Sequence, residues 1–174
     1  ILSDRLESIA EHVYGVCILA ISIDSEFDMN IDIERVIKML VLHEIGETDI
    51  GDITPFDGVS EEEKNNIEPA AWKKLLNGLV KEEEYYNLLI EFDERKTPEA
   101  QFAYFCDKLE CDIQSKLYDE QNCVDVNKQE NNTTAQDKDV QLMLSKGMSW
   151  SEMWMTFGQQ RYNYDNNFLS VSNY

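Results

Sequence analysis

The sequence contains two histidines, His12 and His43, and each lies in an apolar stretch with helical spacing. His43 is followed directly by Glu44, and Glu47 lies one helical turn farther on, so an imidazole and two carboxylates can share one helix face. Such groups are costly to bury without a compensating partner, and a divalent cation is the usual one. This cluster predicts a metal site, although a single histidine on an apolar face is more often an ordinary core residue.

Asp107 is a further acidic residue in an apolar setting, within the stretch 103–109. Its alternative interpretation is a buried ion pair with Lys108 or Arg5. Two neutral imidazoles and carboxylate oxygens form a mixed nitrogen–oxygen site, which suits Mn, Fe, Co, Ni, Zn or Mg. The four cysteines lack the paired spacing of a zinc site or of a secreted disulfide framework. Free thiols and a cytoplasmic location are therefore expected.

The elements that must position these residues are predicted to be helices throughout. Seven Gly and three Pro are too few for the turns of a multi-stranded sheet. The start and stop signals predict about six or seven helices. The first of these helices is predicted to start at Asp4. Four more cover about 32–45, 60–76, 82–94 and 97–117. A shorter helix ends at Gly147, and the last one starts at Ser149. We expect an all-α, single-domain helical bundle spanning residues 1–174.

Three further expectations concern individual segments. The first helix should bury the stripe Ile9, Val13, Val16 and Ala20, and the second should bury Val36, Ile37, Leu40 and Val41. The polar segment from Glu120 to Asp139 has the composition of a mobile loop. Trp150, Trp154 and Phe157 have helical spacing, which is typical of a core stripe or of the seam of a homodimer. Because the chain begins with Ile1 instead of Met, further residues are expected upstream.

The charge composition narrows the possible partners. Lys and Arg number 15 and Asp and Glu number 35, which gives a formal net charge of −20. Such a charge argues against DNA, RNA and anionic membrane surfaces as partners. No apolar stretch approaches the roughly 18 charge-free residues of a membrane span. A small phosphorylated substrate is compatible with this charge where a bound cation or a local Arg or Lys reverses its sign.

Four segments, in this order and at compatible spacing, resemble the HD-domain metal-dependent phosphohydrolases, and most closely their 5′-deoxynucleotidase branch. They are RLESIAEH (5–12), KMLVLHEIGE (38–47), GDITP (51–55) and DKLE (107–110). The resemblance runs from Arg5 to about Tyr118. It implies an HD-domain-like helical bundle and removal of the 5′-phosphate from a (deoxy)nucleoside monophosphate by a metal-activated water.

The resemblance also implies roles for individual residues. The ligands of one divalent ion, which is Mn, Co, Mg, Fe, Ni or Zn, would be His12, His43, Glu44 and Asp107. The catalytic acids would be Glu47 and Asp52. Arg5 would contact the phosphate, and Asp52 would also contact the substrate.

The chain departs from the family pattern at Glu44, where the family has Asp. Glu is also an ordinary oxygen ligand, but its longer arm requires the metal to move or the side chain to fold back. One alternative is therefore a catalytically degenerate member that binds a nucleotide or a partner without turnover. Another is hydrolysis of a different phosphoester, such as a cyclic nucleotide or an alarmone, at the same metal site.

Overall fold

A computed structural model describes residues 6–51, 61–129, 132, 134–162 and 165–173 of the protein. Within these ranges every regular element is helical, which confirms the predicted all-α class. The α-helices are α1 (Ile9–Phe27), α2 (Ile33–Leu42), α3 (Glu47–Ile50), α4 (Glu61–Leu76), α5 (Glu82–Glu94), α6 (Pro98–Glu120), α7 (Lys138–Ser145), α8 (Trp150–Gly158) and α9 (Asn166–Ser172). Two short 3₁₀ helices are η1 (Thr134–Gln136) and η2 (Gln159–Arg161).

The long helix α6 lies at the centre of the bundle. It starts as predicted, because the Thr97 hydroxyl accepts a hydrogen bond from the backbone N–H of Ala100 and Pro98 takes the first helical position. Helices α1, α2, α5, α8 and α9 all pack against α6. The main core between these helices contains Val16, Ala20, Ile23, Val36, Leu40, Phe102, Ala103, Cys106, Leu109, Met155, Tyr162 and Phe168.

The first helix begins later than the sequence predicted. Its N-cap is Ser8, whose side chain forms a capping box with Glu11, and residues 6–8 are not helical. The predicted cap, Asp4, lies outside the described residues. In the non-helical segment before α1, the backbone N–H of Glu7 donates a hydrogen bond to the Tyr118 hydroxyl on α6, at 2.7 Å. This contact connects the segment before α1 to the central helix.

Helix α2 ends three residues before the predicted end at Ile45. It stops at Leu42, and residues 43–46 form a turn that leads into the short α3. The expected inward stripe holds for Val36 and Leu40, which are fully buried, but Val41 is 57% exposed. His43 is the C-cap of α2 and is therefore the first residue of this turn.

The C-terminal part contains more structure than its composition indicated. Ala135 of η1 is buried and packs in a second core cluster with Val140, Trp150 and Met153, so the polar segment 120–139 is not a loop throughout. Trp154 and Phe157 pack against the same cluster, which confirms the predicted core stripe in α8. Helices α3 and α9 were not predicted, because each is shorter than two turns.

Two further expectations can be compared with the described residues. All four cysteines lie there and are free thiols. In the same part of the chain, no helix combines the length and the apolar character needed to cross a lipid bilayer.

Candidate metal centre

Four of the predicted site residues meet in the space between α1, the end of α2 and α6. His12 comes from α1, His43 and Glu44 from the turn after α2, and Asp107 from the middle of α6. One donor atom of each lies within 4.8 Å of the donor atoms of the other three. The structure thus brings together two imidazoles and two carboxylates from segments up to 95 positions apart in the chain, and their role as metal ligands stays a prediction.

Asp107 lies between the two imidazoles and is 3% exposed. Its Oδ1 is 3.3 Å from His12 Nε2 and 3.8 Å from His43 Nε2. Burial raises the pKa of this carboxyl, but the two imidazoles and the Lys108 ammonium outweigh burial and hold the pKa well below its ordinary value. Asp107 is therefore an ionised carboxylate in the protein interior.

His43 directs one ring nitrogen into this centre. Its Nδ1 donates to the backbone carbonyl of Leu40 at 2.7 Å, and its ring packs against Phe92 with ring centroids 5.2 Å apart. Its Nε2 is buried and forms no hydrogen bond, although Glu44 Oε1 lies 3.0 Å away. A buried imidazole nitrogen that faces two carboxylates and forms no hydrogen bond has the environment of a metal ligand.

The charges of the centre are strongly coupled. Burial lowers the pKa of both histidines, but nearby carboxylates raise the pKa of His12 to about 10 and that of His43 to about 9. Burial raises the pKa of Glu44, whereas His43 and Glu47 lower it, and the net direction is downward. Without a metal, the protons on the two imidazoles balance the charge of the two carboxylates. A divalent cation would replace those protons.

The donor chemistry fits a divalent cation. Two imidazole nitrogens and two carboxylate oxygens match the preferences of Mn, Fe, Co, Ni and Zn, and they include no thiolate. Glu44 reaches the centre despite its extra methylene, since its Oε1 contacts His43 Nε2. The departure from His-Asp therefore changes the length of one ligand arm without removing the carboxylate from the cluster.

The remaining predicted residues differ in what the structure describes. Glu47 begins α3 and lies close enough to Glu44 to help lower the pKa of that carboxyl group. Arg5 and Asp52 lie outside the described residues. Asp49, a neighbouring acid of α3, pairs with Lys74 of α4 and so does not join the centre.

The sequence reasoning missed three groups that hold the ligands. Glu110 contacts the outer ring nitrogen of His12, the Leu40 carbonyl fixes His43, and Phe92 packs against the His43 ring. Glu110 lies one turn after Asp107 on the same helix, and this spacing was the available signal. The carbonyl and the aromatic contact left no signal in the sequence.

The comparison with protein families decides the classification. The model of the HD domain family matches residues 2–148. The chain belongs to the HD domain family. This finding confirms the resemblance and, together with the all-α fold, the predicted fold class.

Two curated proteins are similar in sequence to this HD domain protein. It is 36% identical over 122 residues to the protein named 5′-deoxynucleotidase hdd1 of Schizosaccharomyces pombe, which covers 67% of this chain and 60% of that protein. It is 34% identical over 117 residues to 5′-deoxynucleotidase HDDC2 of Danio rerio, covering 66% of this chain and 56% of that protein. The chain thus spans less than two thirds of the length of either relative.

Solved structures show the same fold. One match is a crystal structure described as a predicted metal-dependent phosphohydrolase from Magnetospirillum magnetotacticum MS-1. Its TM-score is 0.62 at 24% identity, and the match covers 93% of this chain and 79% of that chain. The PH0347 protein from Pyrococcus horikoshii OT3 matches with a TM-score of 0.60 and 24% identity, covering 93% and 86%. At this identity the likeness concerns the fold alone.

Proposed function

We propose that this HD domain protein is a metal-dependent phosphohydrolase that removes the 5′-phosphate from a deoxynucleoside monophosphate. The observation that carries the proposal is the convergence of His12, His43, Glu44 and Asp107, with the buried His43 Nε2 making no hydrogen bond among them. The geometry supports the metal part of the proposal. The substrate part is supported by the name 5′-deoxynucleotidase that the curated relatives carry.

The four converging side chains would hold one divalent cation. Ligand distances to such an ion are about 2.0–2.2 Å, so two donors on opposite sides of it lie about 4–4.4 Å apart. Donor atoms within 4.8 Å of one another agree with this span. When a divalent cation is bound, the chemistry available at this centre is activation of water near neutral pH and withdrawal of charge from a phosphoryl oxygen.

Glu47 is the candidate for proton transfer. Hydrolysis joins a water oxygen to phosphorus, breaks the bond between phosphorus and the 5′ oxygen, and delivers a proton to that leaving oxygen. Glu47 begins α3 directly after the turn that carries His43 and Glu44, so it lies next to the centre. We assign to its carboxyl group the delivery of that proton to the leaving oxygen.

Asp52 and Arg5 complete the proposed site from the sequence. Asp52 follows Gly51, which ends α3 with a φ of 76° and turns the chain just past Glu47. We assign Asp52 to substrate binding and to catalysis alongside Glu47. Arg5, which precedes the Glu7 backbone contact with Tyr118, is assigned to the substrate phosphate.

The overall charge limits the substrate to small molecules. A formal net charge of −20 disfavours a nucleic acid polymer, whose binding depends on many phosphate contacts. A single phosphate would meet a different local field, because a divalent cation held by the four converging side chains would reverse the sign of the charge at the centre. The homodimer and the cytoplasmic location stay predictions, and light scattering after size-exclusion chromatography tests the first.

The function is tested by phosphate release. Purified protein is freed of metal, reloaded in turn with Mn²⁺, Co²⁺, Mg²⁺ and Zn²⁺, and given deoxynucleoside and ribonucleoside 5′-monophosphates, a cyclic nucleotide and an alarmone. We expect release from the deoxynucleoside monophosphates with at least one metal, and loss of release in Asp107→Asn. The control Asp49→Asn, whose carboxylate pairs with Lys74, should keep activity.

The alternative of a degenerate binding protein makes the opposite prediction. A protein that contains no metal after purification and after soaking, and releases no phosphate from any substrate, would contradict the proposal. Release from the cyclic nucleotide or the alarmone alone would retain the metal centre but replace the substrate. The reach of Glu44 into the cluster favours turnover over degeneration.

A further inference from the structure

The His12 ring is held between two carboxylates of the same helix. Asp107 Oδ1 lies 3.3 Å from Nε2, and Glu110 Oε2 lies 2.6 Å from Nδ1. Asp107 and Glu110 are three residues apart on α6, so their side chains lie on one face, one turn apart. Glu110 is 8% exposed, which makes this contact a largely buried one.

The contact with Glu110 determines which nitrogen of His12 faces the metal centre. An ionised carboxylate can only accept hydrogen bonds, so Nδ1 must carry a proton and donate it to Glu110. When a metal displaces the proton on Nε2, a His12 ring that keeps its proton on Nδ1 presents the lone pair of Nε2 to the space shared with Asp107 and His43. His43 reaches the same tautomer through the Leu40 carbonyl, which carries no full charge.

Gly15 on α1 makes room for this carboxylate. Gly15 follows His12 by three residues, and a Cβ built on it would lie 2.8 Å from Glu110 Oε1. The φ of Gly15 is not positive, so the backbone does not need glycine at this position. Alanine favours a helix interior by roughly 1 kcal/mol over glycine, yet its methyl group would collide with the carboxylate. The missing side chain therefore serves the packing of Glu110.

We infer that Glu110 is a positioning residue that fixes the tautomer and the orientation of His12 for metal binding, and that Gly15 is required because it leaves space for Glu110. The inference rests on the proposed metal centre. Glu110 acts through His12, with Oε2 at the imidazole and Oε1 in the space that a side chain at Gly15 would fill. Carboxylates in this position raise the basicity of a ligating histidine, and their removal usually weakens metal binding by about 10–100-fold.

The first test measures the dissociation constant of Mn²⁺ by equilibrium dialysis. Glu110→Ala should raise this constant about 10–100-fold. Glu110→Gln retains an acceptor oxygen for Nδ1 but loses the charge, so its constant should lie between those of the wild type and Glu110→Ala. Circular dichroism confirms that each variant is folded. An unchanged constant in both variants would overturn the inference, as would equal losses in both.

The second test is a double-mutant cycle with Gly15→Ala. The new methyl group should displace the Glu110 carboxylate and raise the Mn²⁺ dissociation constant on its own. In the Glu110→Ala background the same change has no carboxylate to displace, so it should have no further effect on binding. Additive effects of the two substitutions would show that Gly15 does not act through Glu110.

A control separates positioning from direct ligation. Cys111 forms a group with His12 and Glu110 whose donor atoms also lie within 4.8 Å of one another. If the ion were bound by that group instead, with Glu110 and Cys111 both as ligands, Cys111→Ala would weaken Mn²⁺ binding, and positioning would be wrong. We expect Cys111→Ala to bind like the wild type. Loss of binding in Asp107→Asn with unchanged binding in Glu110→Ala would preserve the proposed function and reject only this inference.

Discussion

The Lys108 ammonium lies 2.8 Å from Asp107 Oδ2, the oxygen that does not face the two imidazoles. The ion pair that the sequence offered as an alternative to a metal ligand is thus present, and it occupies one oxygen of a carboxylate whose other oxygen lies in the metal centre. Lys108 also lies over the ring of Tyr104, 5.5 Å from its centroid. The ion pair and the ligand role are therefore compatible, because each uses a different oxygen.

Replacement of Lys108 by Met should destabilise the metal-free protein. Asp107 would keep its buried charge but lose a cation, and because the Lys108 side chain is 32% exposed we expect a loss of about 1–2 kcal/mol in the free energy of unfolding. Urea unfolding in EDTA measures this change. The matched control is Lys116→Met on the same helix, whose ion pair with Glu120 is exposed, and its change should stay within about 0.5 kcal/mol.

Metal binding should raise the thermal stability of the wild type. At about 100 times the dissociation constant a ligand adds about 2.7 kcal/mol, which corresponds to an increase in Tm of about 5–10 °C for a chain of this size. His43→Gln removes the Nε2 donor and should abolish the shift produced by Mn²⁺. Asp49→Asn should keep it, because that carboxylate pairs with Lys74. An equal shift in His43→Gln would show that the ion binds elsewhere.

Substitutions of Glu44 separate its charge from its length. Glu44→Gln removes the negative charge 3.0 Å from His43 Nε2 and should weaken Mn²⁺ binding by at least the roughly 10–100-fold that follows loss of a residue that only orients a ligand. Glu44→Asp restores the residue typical of the family and should stay within about tenfold of the wild type, because a carboxylate ligand remains. Equilibrium dialysis measures both constants. Equal binding by Glu44→Gln and the wild type would exclude Glu44 as a ligand.

The order of the helices was predictable from the sequence because their end signals are local. Thr97-Pro98 and the capping box at Ser149 act within one turn of the chain, and both were confirmed. The end of α2 was predicted wrongly, because no Gly or Pro marks Leu42 and the turn that follows is stabilised by contact with another helix. A Cβ on Gly46 in this turn would lie 2.9 Å from Trp72 Nε1 of α4.

The candidate site also combines residues that the sequence predicts with groups that depend on the packing of helices. His12, His43, Glu44 and Asp107 were predictable, because their residue types and spacing carry the chemistry. The groups that orient them depend on how α1 and α6 pack together. The spacing from Asp107 places Glu110 on the same face of α6, but its contact with His12, 98 positions away, depends on helix packing. A backbone carbonyl such as that of Leu40 has no sequence signal at all.

Asp112, which is not part of the metal centre, should make the free energy of unfolding depend on pH. Its side chain on α6 is fully buried, accepts a hydrogen bond from the Tyr162 hydroxyl at 2.9 Å, and lies 3.8 Å from Arg161 Nη1. Burial raises the pKa of Asp112 from 3.8 to about 7, against the lowering effects of Tyr162 and Arg161.

The direction of the pH dependence follows from this raised pKa. The folded state binds the proton of Asp112 more tightly than the unfolded state does, so protonation of Asp112 contributes to the free energy of unfolding. This contribution is complete below about pH 4 and is lost as the pH rises through about 7. Asp112→Asn should remove this contribution, and its free energy of unfolding relative to the wild type should rise between pH 5 and pH 8. Urea unfolding in EDTA at both values measures it. Asp139→Asn, an exposed carboxylate of α7, is the control, and the same pH trend in both variants would contradict the assignment to Asp112.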